Sequence, residues 1–318
     1  MSHFLGNPVI VWGVFGAIVL ILLALDLGVQ KKSNHEISVK KSIWLSIFYI
    51  VVGLSFSLWV YYVKGIHGAQ DYLTGYLVEK SLSLDNIFVI SLIFGALNIP
   101  TRYQHRVLFW GILGVLILRG LMIGFGELLI HQFEWITYVF AAFLVVTGIK
   151  MLFMEEVVHN VQDNALFRFL SSRMRVTPKL YQEKFIIYLK DESGKTVRWV
   201  TPLLIALILI ESADIVFAID SVPAIFSITK DSYVVYTSNI FAILGLRSLY
   251  FSLSHLLIRF TYLKHSLSLI LIFIGAKVLI AWLYPVAKIP SSISLLVTVL
   301  LLGGGVICSL TSKHQKQM

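Results

Sequence analysis

The sequence predicts an all-α polytopic membrane protein of about nine transmembrane helices, with a 3+3 inverted-topology repeat at its centre. Three observations predict it. Of 318 residues, 58% are hydrophobic and only 14% charged, with a mean hydropathy of +0.84; a soluble domain carries roughly 25% charged residues. The apolar residues gather in runs of about 20, the length a helix needs to cross a ~30 Å hydrocarbon core. Lysine and arginine then crowd the loops on one side of those runs.

The first run, 8–28, has no basic stretch before it and is followed by others, so it reads as a membrane helix and not a cleaved signal. Helices follow at 42–63, 72–97, 106–126 and 134–154, with LNIPTRYQ carrying the break between the third and fourth. A polar segment, 155–199, comes next. Within it, DNALFRFLSSRMR reads as a short amphipathic helix at the membrane surface. KFIIYLKDESGKTVRWV reads as a hairpin turning at Asp191–Gly194. This segment is too short for a nucleotide-binding domain, and no glycine-rich Lys-Ser/Thr loop occurs in the chain, so we take it as a cytosolic connector. Helices at 200–228, 232–258, 265–284 and 290–311 complete the set.

Loops 29–41, 98–106, 155–199 and 259–264 and the C-terminal tail hold 18 Lys and Arg residues, while the alternate loops hold only Lys64, Lys230 and Lys288. That bias places the N-terminus outside and the C-terminus in the cytoplasm. It also accounts for the net charge of +9 without a nucleic-acid partner. Cys308 is the single cysteine, which excludes an intrachain disulfide and a thiolate metal cluster.

An internal repeat underlies the apolar runs. DNIFVIS around Asp85 answers DIVFAID around Asp214; LILRGLM with Arg119 answers ILGLRSL with Arg247; TGIKML with Lys150 answers IGAKVL with Lys277. The spacings are 34 and 31 residues in the first copy, 33 and 30 in the second. One copy starts outside and the other inside, which is the inverted design of many secondary transporters. The expected organisation is helices 1–2 (1–71), repeat A (72–154), the connector (155–199), repeat B (200–284), and a last helix with a cytoplasmic tail (285–318).

Five carboxylates sit inside these apolar helices, each costing roughly 2.5–3.5 kcal/mol at a helix centre. GYLVEKSLSLDNIFV supplies Glu79 and Asp85, and LIALILIESADIVFAIDSVPAI supplies Glu211, Asp214 and Asp220. At 100° per residue Glu211 and Asp214 lie about 60° apart, whereas Asp220 falls about 180° from Glu211. Pro223 is expected to kink the helix, free a carbonyl, and so bring the set together. Asn86 and Ser221 add neutral oxygens. Carboxylate, amide and carbonyl oxygens suit a hard cation such as Mn²⁺, Mg²⁺ or Ca²⁺; with the histidines scattered in loops and His255 alone, a zinc or copper site is poorly supported. Glu79, Asp85, Asn86, Glu211, Asp214 and Asp220 are therefore the candidate metal ligands. Arg119, Arg247, Lys80 and Lys277 are candidate counter-ions, which could equally lock helix packing by pairing with the acids. Asp26, at the end of the first helix, reads as interfacial, and Lys150 as reaching to the inner surface.

At these residues the sequence resembles the TerC/Alx family of bacterial integral membrane proteins. GYLVEKSLSLDNIFV, VLFWGILGVLILRG, LIESADIVFAIDSVPAIF, TSNIFAILGLRSLYF and IFIGAKVLI carry the resemblance across nearly the whole chain. It implies a manganese exporter of the bacterial cytoplasmic membrane, in the lysine-exporter-like group, with ligands at Glu79, Asp85, Glu211, Asp214 and Asp220. Mn²⁺ in particular comes from the resemblance and not from the ligand set. Tellurite, the source of the family's name, is an oxyanion that five carboxylates would repel. No organic cofactor and no enzymatic activity are expected. Without a nucleotide site, export requires exchange with an ion entering downhill, and protons, which compete with metal for carboxylates, are the expected counter-ion. A non-transporting stress-response or assembly protein is the alternative; an intramembrane metallohydrolase would want a His-rich ligand set.

Overall fold

A computed structural model describes residues 3–4, 7–31, 39–133, 135–153, 165–190, 196–253, 263–284 and 289–311. The chain is an all-α polytopic membrane protein. Among the described residues, eight helical stretches are long and apolar enough to cross a membrane. After a minimal pair of strands, β1 (His3–Phe4) and β2 (Asn7–Pro8), come α1 (Val9–Lys31), α2 (Val39–Ala96), α3 (Thr101–Gln132) and α4 (Ile136–Phe153). The polar segment follows with α5 (Ala165–Arg173) and strands β3 (Ile186–Lys190) and β4 (Thr196–Val200). Then come α6 (Pro202–Ile228), α7 (Ser232–Ile243), α8 (Leu246–Leu253), α9 (Leu263–Leu283) and α10 (Ser291–Thr311). The expected surface helix is α5, and β3 and β4 form the expected antiparallel hairpin, paired from Ile186↔Val200 to Lys190↔Thr196; its turn lies outside the described residues.

Helix α2 has 58 residues. A straight rod of that length would measure about 87 Å, nearly three hydrocarbon thicknesses. It folds back on itself at Gly65, whose φ of 73° and ψ of −172° are open to glycine and hardly to any other residue. The two limbs, 39–64 and 66–96, run side by side. The Tyr72 hydroxyl donates to the Gly53 carbonyl at 2.8 Å, and the Phe56 and Tyr72 rings stand 5.7 Å apart. These limbs are the second and third helices expected from the sequence.

Pro223 does not interrupt its helix, and the chain breaks elsewhere. Helix α6 continues through Pro223. The run expected at 232–258 instead divides at Gly245 (φ 82°) into α7 and α8, with 254–262 outside the described residues. A methyl group on Gly245 would stand 2.6 Å from Tyr49 Cγ, so glycine is required both by conformation and by space. The break leaves carbonyls without helical partners at membrane depth. Lys80 answers them: its Nζ donates to the carbonyls of Ala242 (3.0 Å) and Leu244 (3.4 Å). At its other end α7 is capped by Asp231, which accepts from the amides of Tyr233 (3.0 Å) and Val234 (3.2 Å) and pairs with Lys64.

Helix α7 is enclosed by the others. Trp12 and Phe15 of α1, Phe56 and Tyr72 of α2, and Tyr233 and Phe241 of α7 form an aromatic core on one side of it. Elsewhere in the bundle, α4 and α9 pack along their length. There Gly148 admits the α9 backbone and Gly275 admits the α4 backbone. A methyl on Gly148 would lie 2.8 Å from the Ser268 carbonyl oxygen and 3.1 Å from the Ile272 amide nitrogen. One on Gly275 would overlap the Ala141 carbonyl and sit 2.8 Å from Val145. The contact is reciprocal: Gly148 with Gly275, Ala141 with Ser268, and Val145 with Ile272 are each 127 positions apart.

A candidate cation site in the membrane core

Four membrane helices or limbs converge on Arg119. Its side chain is 1% exposed and yet fully satisfied, because α3 delivers it into a ring of oxygens. Nη1 donates to Glu79 Oε1 (2.5 Å), to Ser221 Oγ (2.6 Å) and to Asn239 Oδ1 (3.4 Å). Nε and Nη2 donate to Asp214 Oδ2 (3.1 Å) and Oδ1 (3.0 Å), the bidentate fork that arginine makes with a carboxylate. Two further amides hold the acids in place. Asn239 Nδ2 donates to Glu79 Oε2 at 3.1 Å, and Asn86 Nδ2 to Asp214 Oδ1 at 3.2 Å. Glu79 and Asn86 come from the second limb of α2, Asp214 and Ser221 from α6, and Asn239 from α7. Asp214 and Ser221 are seven residues apart, two turns, so they share one face of α6.

A cavity reaches this cluster from one side. It is lined chiefly by apolar side chains, among them Ile90, Ile112 and Phe217, with Asn86, Asp214 and Arg247 as its polar members. The turn between α2 and α3, followed at once by Arg102 and Arg106 on the first turns of α3, lies on the same side, since the cavity is bordered by α3 residues that precede Arg119. Glu211 stands beside this space. Its carboxylate fills the gap over Gly114, where a methyl group would overlap it, and lies 3.9 Å from the position a Cβ would take on Gly111, itself a lining residue. Its Oε2 is buried with no hydrogen-bond partner in the protein.

The structure thus brings together Glu79, Asn86 and Asp214 with Arg119, and sets Glu211 next to them. It does not bring in Asp220. With α6 unbroken at Pro223, Asp220 faces α4, near Thr147 and Lys150, and its helix phase keeps it from the cluster. The side chain of Asp85 lies outside the described residues. Lys80 serves the α7–α8 break and not the acids. Lys277 donates to Ser294 Oγ at 2.8 Å and lies near Asp71, away from the cluster. Arg247 has a different partner from the one the sequence offered: its Nη2 donates to Asp26 Oδ1 (2.6 Å) and to the Asp26 carbonyl (2.8 Å). Asp26 is more than a residue at a helix end: it is 6% exposed and ties α1 to α8. Sequence reasoning also passed over Asn239. The signal was present in the run Thr237-Ser238-Asn239, three polar residues inside an apolar helix and all completely buried.

Five oxygens from Glu79, Asp214, Ser221 and Asn239 surround one positive charge, and with both acids ionised the cluster keeps one net negative charge. The donors are all hard, the set that Mn²⁺, Mg²⁺ or Ca²⁺ takes. Among the described residues, no three side chains of the types His, Cys, Asp and Glu stand together as a ready metal cluster. In this arrangement the oxygens hold a guanidinium.

Residues 64–317 match the family described as the integral membrane protein TerC family. The chain belongs to the TerC family. A relative in Rickettsia felis, an uncharacterized membrane protein, is 46% identical over 303 residues, covering 95% of this chain and 98% of its own. One in Myxococcus xanthus, also an uncharacterized membrane protein, is 43% identical, covering 97% and 94%. A protein of Escherichia coli named Alx and described as a candidate membrane-bound redox modulator is 41% identical, covering 91% and 90%. No solved structure matches the chain.

Proposed function

We propose that this TerC-family protein exports a hard divalent cation, Mn²⁺ by its resemblance, across the bacterial cytoplasmic membrane, and that Glu79, Asp85, Asn86, Glu211 and Asp214 handle the ion. One observation carries the proposal: membrane-buried carboxylates with net negative charge lie at the end of a cavity, within helices that could have been apolar throughout. Asp220, turned toward α4, is left out of the primary site. The reciprocal α4–α9 seam and the matching spacing of Asp85, Arg119 and Lys150 with Asp214, Arg247 and Lys277 support an inverted repeat, with binding at its interface. The Lys and Arg bias supports an external N-terminus and a cytoplasmic C-terminus, and on that orientation the cavity opens toward the cytoplasm.

Export against an inside-negative potential costs about 2.3 kcal/mol per charge per 100 mV, so roughly 4.6 kcal/mol for a divalent ion. Exchange for entering protons would supply it. The test is a proteoliposome assay with a trapped pH-sensitive dye and an imposed Mn²⁺ gradient. Mn²⁺ flux accompanied by opposite proton movement is expected. Flux with flat internal pH would remove the antiport step, and no flux would remove the transport reading. The redox description of the Escherichia coli relative finds no dithiol here, since the chain has one cysteine.

A further inference from the structure

We propose that the Arg119 guanidinium is a tethered occupant of the cation site, so that Mn²⁺ and Arg119 hold the same oxygens in turn. The inference rests on the transport reading and concerns the same site. Its basis is the completeness of the occupation. All five nitrogen-to-oxygen contacts of Arg119 go to Glu79, Asp214, Ser221 and Asn239. Those are the oxygens a hard cation would use, and a cation entering by the cavity meets Asp214, whose Oδ1 is already shared by Arg119 and Asn86.

Elementary electrostatics gives the arrangement a purpose. Two vacant carboxylates in a low-dielectric core are costly, and a cation attached to the protein neutralises one of them without being consumed. Arginine suits this role because it does not deprotonate, so its charge leaves the site only by moving. The long stem permits such movement while the backbone of α3 stays in place. An unloaded site closed by Arg119 cannot carry a stray cation back, and it retains one negative charge that one proton would cancel. A purely structural lock would hold the same contacts but would never yield them to a metal.

The experiment uses full-length protein purified in detergent, with free Mn²⁺ followed by its paramagnetic resonance signal. Arg119→Ala removes the occupant and should bind Mn²⁺ about tenfold or more tighter than the wild type, tenfold corresponding to roughly 1.4 kcal/mol. Methylguanidinium at millimolar concentration should refill the vacated space and weaken that binding again, while leaving the wild type unaffected. Arg119→Lys keeps a charge on a shorter stem and should give an intermediate affinity, which covers the case of an Arg119→Ala protein that does not fold. Affinity in either folded variant equal to or below that of the wild type, or tighter binding indifferent to methylguanidinium, overturns the tethered-occupant proposal. Wild-type Mn²⁺ flux in proteoliposomes is scored separately. Flux without the affinity gain rejects this inference alone, and the affinity gain without flux rejects the transport reading alone.

Discussion

At the scale of single residues, the membrane core of this protein turns on two buried arginines. Arg119 and Arg247 are 1% and 2% exposed, and each finds carboxylate partners that the sequence alone could not assign. Spacing along a helix shows which acids share a face, and it placed Glu211 and Asp214 correctly on neighbouring faces of α6. It cannot show which residue from a distant helix meets them, so in the sequence Arg119 is only one of four candidate counter-ions and Asp26 reads as interfacial. Asp214→Asn keeps the volume while removing one charge from the bidentate fork; Asp85→Asn removes one charge from the sequence of the second limb of α2. In each variant Mn²⁺ efflux should fall by about tenfold or more, the effect of losing roughly 1.4 kcal/mol of binding. Near-normal efflux at equal membrane abundance in both would discard the site. Asp26→Asn should act differently. It takes the Asp26 charge away from the Arg247 guanidinium, where breaking a buried pair costs about 3–5 kcal/mol, and should lower the thermal midpoint of the detergent-solubilised protein. An unchanged midpoint would make the pair dispensable.

At the scale of elements, apolar length located the membrane helices, because hydrocarbon thickness is a nearly fixed ruler. It did not locate the break. Proline announces itself in a sequence, and Pro223 drew the expectation of a kink; yet α6 accommodates it, while a glycine, Gly245, ends α7. Whether a glycine breaks a helix depends on what crowds it, and here that is Tyr49, far away in sequence. Gly245→Ala is accordingly expected to destabilise the protein by about 1–3 kcal/mol from backbone strain alone, with the ring contact adding to it. Gly148→Val and Gly275→Val should each force α4 and α9 apart and cost about 1–3 kcal/mol by overpacking. If one of the pair proved neutral and the other severe, the reciprocity of the seam would carry no energetic meaning. Thermal unfolding followed by circular dichroism serves for all three.

At the scale of the whole molecule, the count of positive charges predicts the side of the membrane on which each loop lies. The orientation can be checked with the single cysteine removed. In a Cys308→Ser background, Gln315→Cys should react with a membrane-impermeant thiol reagent in inside-out vesicles and not in intact cells, and the opposite pattern would invert the topology. The packing of α4 on α9 has a further consequence. Because each helix offers the other the same small residues at the same register, the seam is self-complementary under a half-turn, as the interfaces of two-fold symmetric dimers are. Such a surface needs no second kind of partner. Each helix therefore presents to an antiparallel copy of itself nearly the face that its neighbour offers, so one residue pattern serves both sides of the contact.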